Sequence, residues 1–151
     1  MGRWSREELE EAFAHYQATA LKAGMSGDWR EWADMFTEDA TYIEHHYGTF
    51  GGREAIYNWI QKTMSGPIIN EMKYFPIEWY VIDKDRGWVV CHVWNRFEDP
   101  GDGSVHQAMN VTILKYAGDM KWSYEEDVYN PVIMGEMVKG YLKRKEELAA
   151  S

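Results

Sequence analysis

One cysteine, four prolines, and 16 Lys and Arg against 25 Asp and Glu set the first limits on this 151-residue chain. A lone Cys91 closes no internal disulfide, so nothing in the cysteine usage marks a secreted scaffold. The net charge of −9 argues against nucleic acid and anionic membrane surfaces as partners, since both need clustered cations. No apolar run approaches the ~18 residues of a membrane span, and the chain is charged from Arg3 onward without an apolar signal core. Repeats, low-complexity tracts and linkers are also missing. The expectation is a soluble, cytoplasmic protein with a single domain over residues 1–151.

What the chain has in quantity is aromatic surface: eight Trp, ten Tyr and five Phe within a 45% hydrophobic composition. That excludes disorder and permits a large aromatic-lined interior. Ser5 with Glu8 forms a capping box, and Trp4 with Leu9 a hydrophobic staple, at the start of a first helix. Leu9, Phe13, Tyr16 and Ala20 recur along one face, and Gly24 is its expected stop. A second helix is expected from Asp28, with Trp29, Trp32, Ala33 and Phe36 as its buried stripe. A third, from about Arg53, carries Ile56, Trp59, Ile60 and Met64 and breaks at Gly66-Pro67.

Between the second and third helices lies a stretch predicted as a strand, Thr37 to Gly48. Its period-2 alternation sends Tyr42, Glu44 and His46 to one side and Thr41, Ile43 and His45 to the other. Four further strands are expected at Pro76–Asp83, Trp88–Glu98, Val105–Tyr116 and Met120–Tyr129, joined as an antiparallel run. A last helix begins at Pro131, with Met134, Met137, Val138, Tyr141 and Leu142 as its stripe. Helices segregated from an antiparallel sheet make the fold class α+β. The long strands are apolar on both faces. One cover comes from the helices and the other from a second subunit, so a homodimer through the outer sheet face is expected.

This element order, with Gly27-Asp28-Trp29 to Phe36 running into Asp39-Ala40-Thr41 and then Gly51-Gly52-Arg53-Glu54-Ala55-Ile56, resembles the nuclear-transport-factor-2-like superfamily. Ketosteroid isomerases, SnoaL-like polyketide cyclases, scytalone dehydratases and limonene epoxide hydrolases share that fold. The resemblance implies a cone-shaped α+β barrel, a curved antiparallel sheet wrapped by three N-terminal helices, with a C-terminal helix. It places Glu44 at the isomerases' carboxylate base and Tyr16 near their oxyanion-donating tyrosine. Thr112, beside Asn110, stands where those enzymes keep a protonated aspartate, which argues against ketosteroid isomerisation as such.

A carboxylate at Glu44 pointing among Trp, Tyr and Phe suits a general base or acid near neutral pH, because desolvation disfavours its charge. His46, on the same predicted face, is placed to relay a proton or hold Glu44. Tyr16 or the amide of Asn110 would steady charge on a substrate oxygen. Adjacent His45 and His46 point to opposite faces and cannot share one ion without a bulge, so no metal is expected, and no cofactor. In Glu125-Glu126-Asp127, a bulged turn before the last strand would put Glu126 inward with Trp122, Tyr124 and Thr112. A two-residue turn would send Glu125 and Asp127 there instead. The bland alternative is a solvated sheet edge.

The expected site thus comprises Glu44, Tyr16 and His46 for chemistry, with Asn110, Thr112, Tyr42, Phe13, Trp32, Trp59, Tyr124 and Glu126 around a small hydrophobic ligand. The expected activity is acid/base proton transfer on a polycyclic, steroid- or polyketide-like substrate, by isomerisation, dehydration or cyclisation. The rival is a non-catalytic domain binding an apolar ligand or protein. Epoxide hydrolysis ranks last, because only Arg96 offers a centre for the Asp–Arg–Asp arrangement it needs.

Overall fold

The computed structural model describes residues 2–151. A long helix α1 (Arg6–Ser26) and a single turn α2 (Arg30–Ala33) lead into strand β1 (Phe36–Glu44). Strand β2 (Gly48–Gly51) doubles back on it, and helix α3 (Arg53–Met64) follows. Strands β3 (Met72–Tyr74), β4 (Ile77–Asp83), β5 (Trp88–Phe97), β6 (Gln107–Gly118) and β7 (Lys121–Val128) precede helix α4 (Pro131–Ala150). The sheet runs β2-β1-β7-β6-β5-β3, with β4 also paired to β5. It curves beneath the helices as an α+β cone. It is mixed, not wholly antiparallel as expected, because β1 pairs with β7 in parallel. Among the described residues, no helix is long and apolar enough to cross a membrane.

The capping residue acts as the sequence suggests: Ser5 Oγ accepts from the N–H of Glu8 at 3.1 Å. Gly24 does not end the helix. The helix continues to Ser26, and Gly27, at φ 79°, takes the left-handed cap. Gly24 serves packing instead, since the backbone of β3 crosses α1 there and a Cβ would collide with the Lys73 carbonyl oxygen. Asp28 Oδ1 accepts from the N–H of Arg30 at 3.0 Å, but the helix it opens ends at Ala33. Phe36 already belongs to β1, where ladder pairing with β7 wins over continued helix.

β1 stops at Glu44, short of the expected Gly48. His45–Tyr47 form a turn, and Gly48–Gly51, whose glycines read as a turn before α3, is a strand registered Glu44↔Gly48 to Thr41↔Gly51. Arg53 anchors the start of α3 by donating from Nε to the Phe36 carbonyl at 2.7 Å. On the concave face Val89, Cys91 and Val93 of β5 and Leu114 of β6 are buried in one cluster with Leu9 and Phe13 of α1. Their alternates Val90, Val111 and Ile113 are half-buried on the outer face.

Gly24→Ala is expected to destabilise the protein. Alanine gains about 1 kcal/mol of helix propensity over glycine, but displacing the β3 backbone costs about 1–3 kcal/mol of overpacking. A thermal scan should show Tm lowered by a few degrees. A raised Tm would mean that α1 and β3 have room to part.

Candidate functional site

Between the concave sheet face and the helices lies a cavity of about 170 Å³. Trp29, Trp32 and Trp59 come to it from the helical side. Tyr42 and Glu44 of β1, Asn110 and Thr112 of β6, and Glu125 and Asp127 of β7 come from the sheet. The register explains the grouping. β7 lies between β1 and β6, and its partners across the two ladders are Tyr42↔Glu125↔Leu114 and Glu44↔Asp127↔Thr112. Paired residues share a face, so two rows of side chains point into the hollow.

The centre of the site is a pair of carboxyl groups. Tyr16 donates to Glu125 Oε1 at 2.6 Å, and Thr112 Oγ1 donates to Asp127 Oδ1 at 2.7 Å. The Tyr42 hydroxyl lies 2.6 Å from Glu125 Oε2 and also contacts Asp127 Oδ2. One hydroxyl hydrogen cannot serve two carboxylate oxygens. The arrangement closes when one of the two carboxyls is protonated and donates back to the Tyr42 oxygen. Burial, and then the charge of Asp127, push Glu125 well above the usual carboxylate range. Burial also raises Asp127, against the hydroxyls that favour its charged form. The Tyr16 and Tyr42 phenols are raised in turn, by burial first and then by the two acids, and remain donors.

A polar chain backs Asp127. Asn95 Nδ2 donates to Asn110 Oδ1 at 2.7 Å, and Asn110 Nδ2 donates to Thr112 Oγ1 at 2.7 Å. The Asn110 amide expected to face a substrate oxygen is therefore engaged at both ends. Tyr16 likewise spends its hydrogen on Glu125.

Glu44 is buried and lines the cavity, as its position in the strand predicts. Its oxygens are already occupied. Oε1 accepts from the N–H of His46 at 2.7 Å, and Oε2 from the Tyr129 hydroxyl at 2.8 Å. The His46 side chain is exposed in the turn, with its ring edge-on to Tyr47 at 5.0 Å, so the proton relay expected of it is not built. The strand ends at Glu44, two residues before it, and the alternation ends with the strand.

Tyr124 and Glu126 also depart from expectation: they lie on the outer sheet face. Tyr124 donates to Glu126 Oε1 at 2.6 Å, His45 Nε2 lies 2.7 Å from Glu126 Oε2, and the Lys115 ammonium caps the Tyr124 ring. Asp119 and Met120, both with positive φ, make the two-residue turn that sends Glu125 and Asp127 inward. A local irregularity at Tyr116 and Trp122 lets Trp122 remain buried as well. The solvated-edge reading fails because β7 is flanked on both sides. Phe13 is buried behind the cavity wall, against Tyr80 at 5.1 Å. Arg96 pairs its Nε with Gln107 Oε1 at 2.9 Å and does not line the hollow. Tyr129 and Asn95 were not foreseen.

A family model for the SnoaL-like domain matches residues 9–124. The chain belongs to the SnoaL-like domain family. Among curated proteins, none matches it in sequence. Solved structures with the same fold include a ketosteroid-isomerase-like protein from Catenulispora acidiphila in complex with trimethylamine. It is 20% identical, with 80% of this chain and 85% of that chain covered at a TM-score of 0.61. The epoxide hydrolase/cyclase-like enzyme SalBIII, of pyran ring formation in the polyether salinomycin, is 14% identical over 85% and 95% of the two chains, at 0.65. A Jannaschia sp. protein assigned as a SnoaL-like polyketide cyclase is 14% identical over 89% and 96%, at 0.63. In this SnoaL-like domain Tyr42, Glu44, Thr112, Glu125 and Asp127 of the two ladder rows line the hollow from the sheet.

The raised acids fix a pH dependence. Unfolded, Glu125 and Asp127 titrate near their ordinary values of 4.5 and 3.8, whereas the folded protein holds their protons to higher pH. The folded state then binds more protons than the unfolded one, so stability falls as pH rises from about 4 until the folded pair has titrated. Urea unfolding should show the wild type losing stability relative to the Glu125→Gln/Asp127→Asn double variant as pH rises above about 4, at no more than about 1.4 kcal/mol per pH unit for each group. Parallel curves for the two proteins would contradict this.

Proposed function

We propose that the protein is a cofactor-independent proton-transfer enzyme of the cyclase or isomerase type, with the Glu125–Asp127 pair as its acid and base. The observation that carries this is the single Tyr42 hydroxyl shared between Glu125 Oε2 and Asp127 Oδ2. Two carboxyls held this close in a buried site keep one proton between them, which supplies an acid and a base side by side. The titration belongs to the pair. The ionised member takes a proton from carbon beside a carbonyl, and the freed electron pair forms the carbon–carbon double bond of an enol. The neutral member gives its proton to the carbonyl oxygen. Where a carbon–carbon double bond is conjugated with the enol, the first member returns its proton to the far carbon while the enol O–H gives its proton back to the second member, which isomerises the substrate. Alternatively the enol carbon attacks a second carbonyl, whose oxygen takes the first member's proton as the enol O–H returns its own, which closes a ring.

Tyr16, Tyr42 and Thr112 orient the pair, and Glu44 with Tyr129 shapes the adjoining wall. The family and the cyclase-like neighbours support the reaction class. The cavity volume favours a substrate whose enclosed part has one or two rings over the polycyclic one the resemblance implies, since a cavity of roughly 150 Å³ already holds benzene. One observation favours the rival, a binding domain without turnover: every tyrosine and threonine hydroxyl at the pair is already committed to a carboxyl, as in a fixed wall.

The test is hydrogen exchange at carbon beside the carbonyl of small cyclic ketones in heavy water, followed by NMR. Asp127→Asn and Glu125→Gln should each slow exchange by about 10²–10⁴-fold, and Glu44→Gln by much less. Equal loss in Glu44→Gln would return the base to Glu44, and no wild-type exchange would favour the binding domain.

A second copy covering the outer sheet face is part of the proposal, supported by half-exposed Trp79 and Val81 beside Val90 and Val111. Sedimentation should give a dimer that Val111→Lys converts to monomer. A monomeric wild type would remove it.

A further inference from the structure

We propose that the cavity selects an organic cation, so that the part of the substrate lying against Trp29, Trp59 and Tyr42 carries a tertiary or quaternary ammonium group. This deepens the reading above by naming a substrate class, and rests on it only in placing the substrate in this cavity.

Charge is the first argument. Three carboxyl groups, Glu44, Glu125 and Asp127, line the hollow, and among the described residues no Lys, Arg or His does. The nearby cations are spent elsewhere. Arg30 forks onto Glu54 and lies over the Tyr57 ring, and Lys115 caps Tyr124 on the outer face. An anionic ligand would meet unanswered repulsion in a low-dielectric site.

Hydrogen-bonding capacity points the same way. The hydroxyls of Tyr16, Tyr42, Thr112 and Tyr129 all donate to carboxyl oxygens. At the acid pair a neutral ligand rich in acceptor oxygens therefore finds these hydroxyls already committed. The walls offer carboxyl groups and aromatic rings instead.

The aromatic side chains form a continuous arc. Ring centroids step from Trp29 to Trp32 at 5.3 Å, from Trp32 to Tyr42 at 6.0 Å, and from Tyr42 to Trp59 at 5.1 Å. Such faces attract a cation lying within about 6 Å of the ring centre, and recognise alkylammonium groups. A metal ion is a worse match. Among the described residues no group of three His, Cys, Asp or Glu side chains is arranged to hold one. The charge of an alkylammonium is spread over a skin of methyl groups that packs against indole.

The test is calorimetric titration with choline and with benzyltrimethylammonium, each beside a neutral isostere in which tert-butyl replaces trimethylammonium. The ammonium compounds should bind at least about tenfold tighter at pH 8, as desolvated cation–π contact with added charge attraction predicts. The preference should shrink toward pH 5 as the acid pair takes up protons, with proton release on binding seen as buffer-dependent heat. Groups facing that pair are Tyr16 of α1, Tyr42 and Glu44 of β1, Cys91 of β5 and Tyr129 beyond β7, of which the phenols and the thiol are held protonated by burial. Glu125→Gln/Asp127→Asn should lose the preference while still binding the isostere, a sign that the pocket remains folded.

Equal or tighter binding of the isosteres overturns the proposal, as does failure of both ammonium compounds to bind at millimolar concentration. Ketone exchange without cation preference would leave the proposed enzyme standing and remove this inference. Cation binding without exchange would do the reverse.

Discussion

The burial of two acids side by side on one strand is the constraint around which the rest of the SnoaL-like domain is arranged. Moving an ionised carboxylate out of water costs several kcal/mol even after relaxation, and two adjacent ones repel as well. The fold answers with hydroxyls from three elements: Tyr16 of α1, Tyr42 of β1 and Thr112 of β6. None of these donors is close to the pair in sequence. They meet because β7 sits between a parallel and an antiparallel neighbour, which puts Tyr42 beside Glu125 and Thr112 beside Asp127. Shift β7 by one residue and Glu126 would enter in their place, with its donors left behind.

Much of the architecture was legible because it rests on local chemistry. The Ser5 cap, the α3 boundaries, Pro131 at the start of α4 and the alternation in β5 and β6 are all written in short windows of sequence. What escaped depends on contacts from afar. Gly24 looks like a stop until β3 is laid across it, and Gly48–Gly51 looks like a turn until β1 offers a ladder. For the site, alternation carried Tyr42 and Glu44 to the cavity correctly, and it failed at His46 because the strand had already turned.

The acidic run on β7 is the instructive case. Two registers were open, and the choice lay in Asp119 and Met120, whose positive φ values close a tight turn that neither residue type advertises as glycine would. The solvated-edge alternative rested on treating the last strand as an edge. It is interior only because the first strand returns to pair with it in parallel, and no local pattern announces that pairing.

The cone divides labour between its two kinds of wall. A strand fixes the direction of each side chain to one face or the other, and neighbouring strands lock that direction through register, so groups whose distances matter belong on the sheet. Helices present broad faces whose exact rotation matters less, and Trp29, Trp32 and Trp59 come from that side. Proton chemistry needs heavy atoms held at hydrogen-bond distance, whereas recognition of an apolar or cationic group needs area and polarisable faces. On the readings proposed above, a substitution on the helical wall would change the fit of the ligand, and one on the β1-β7-β6 rows would change both the charge the ligand must carry and what can be done to it. The fold by itself therefore names neither ligand nor chemistry.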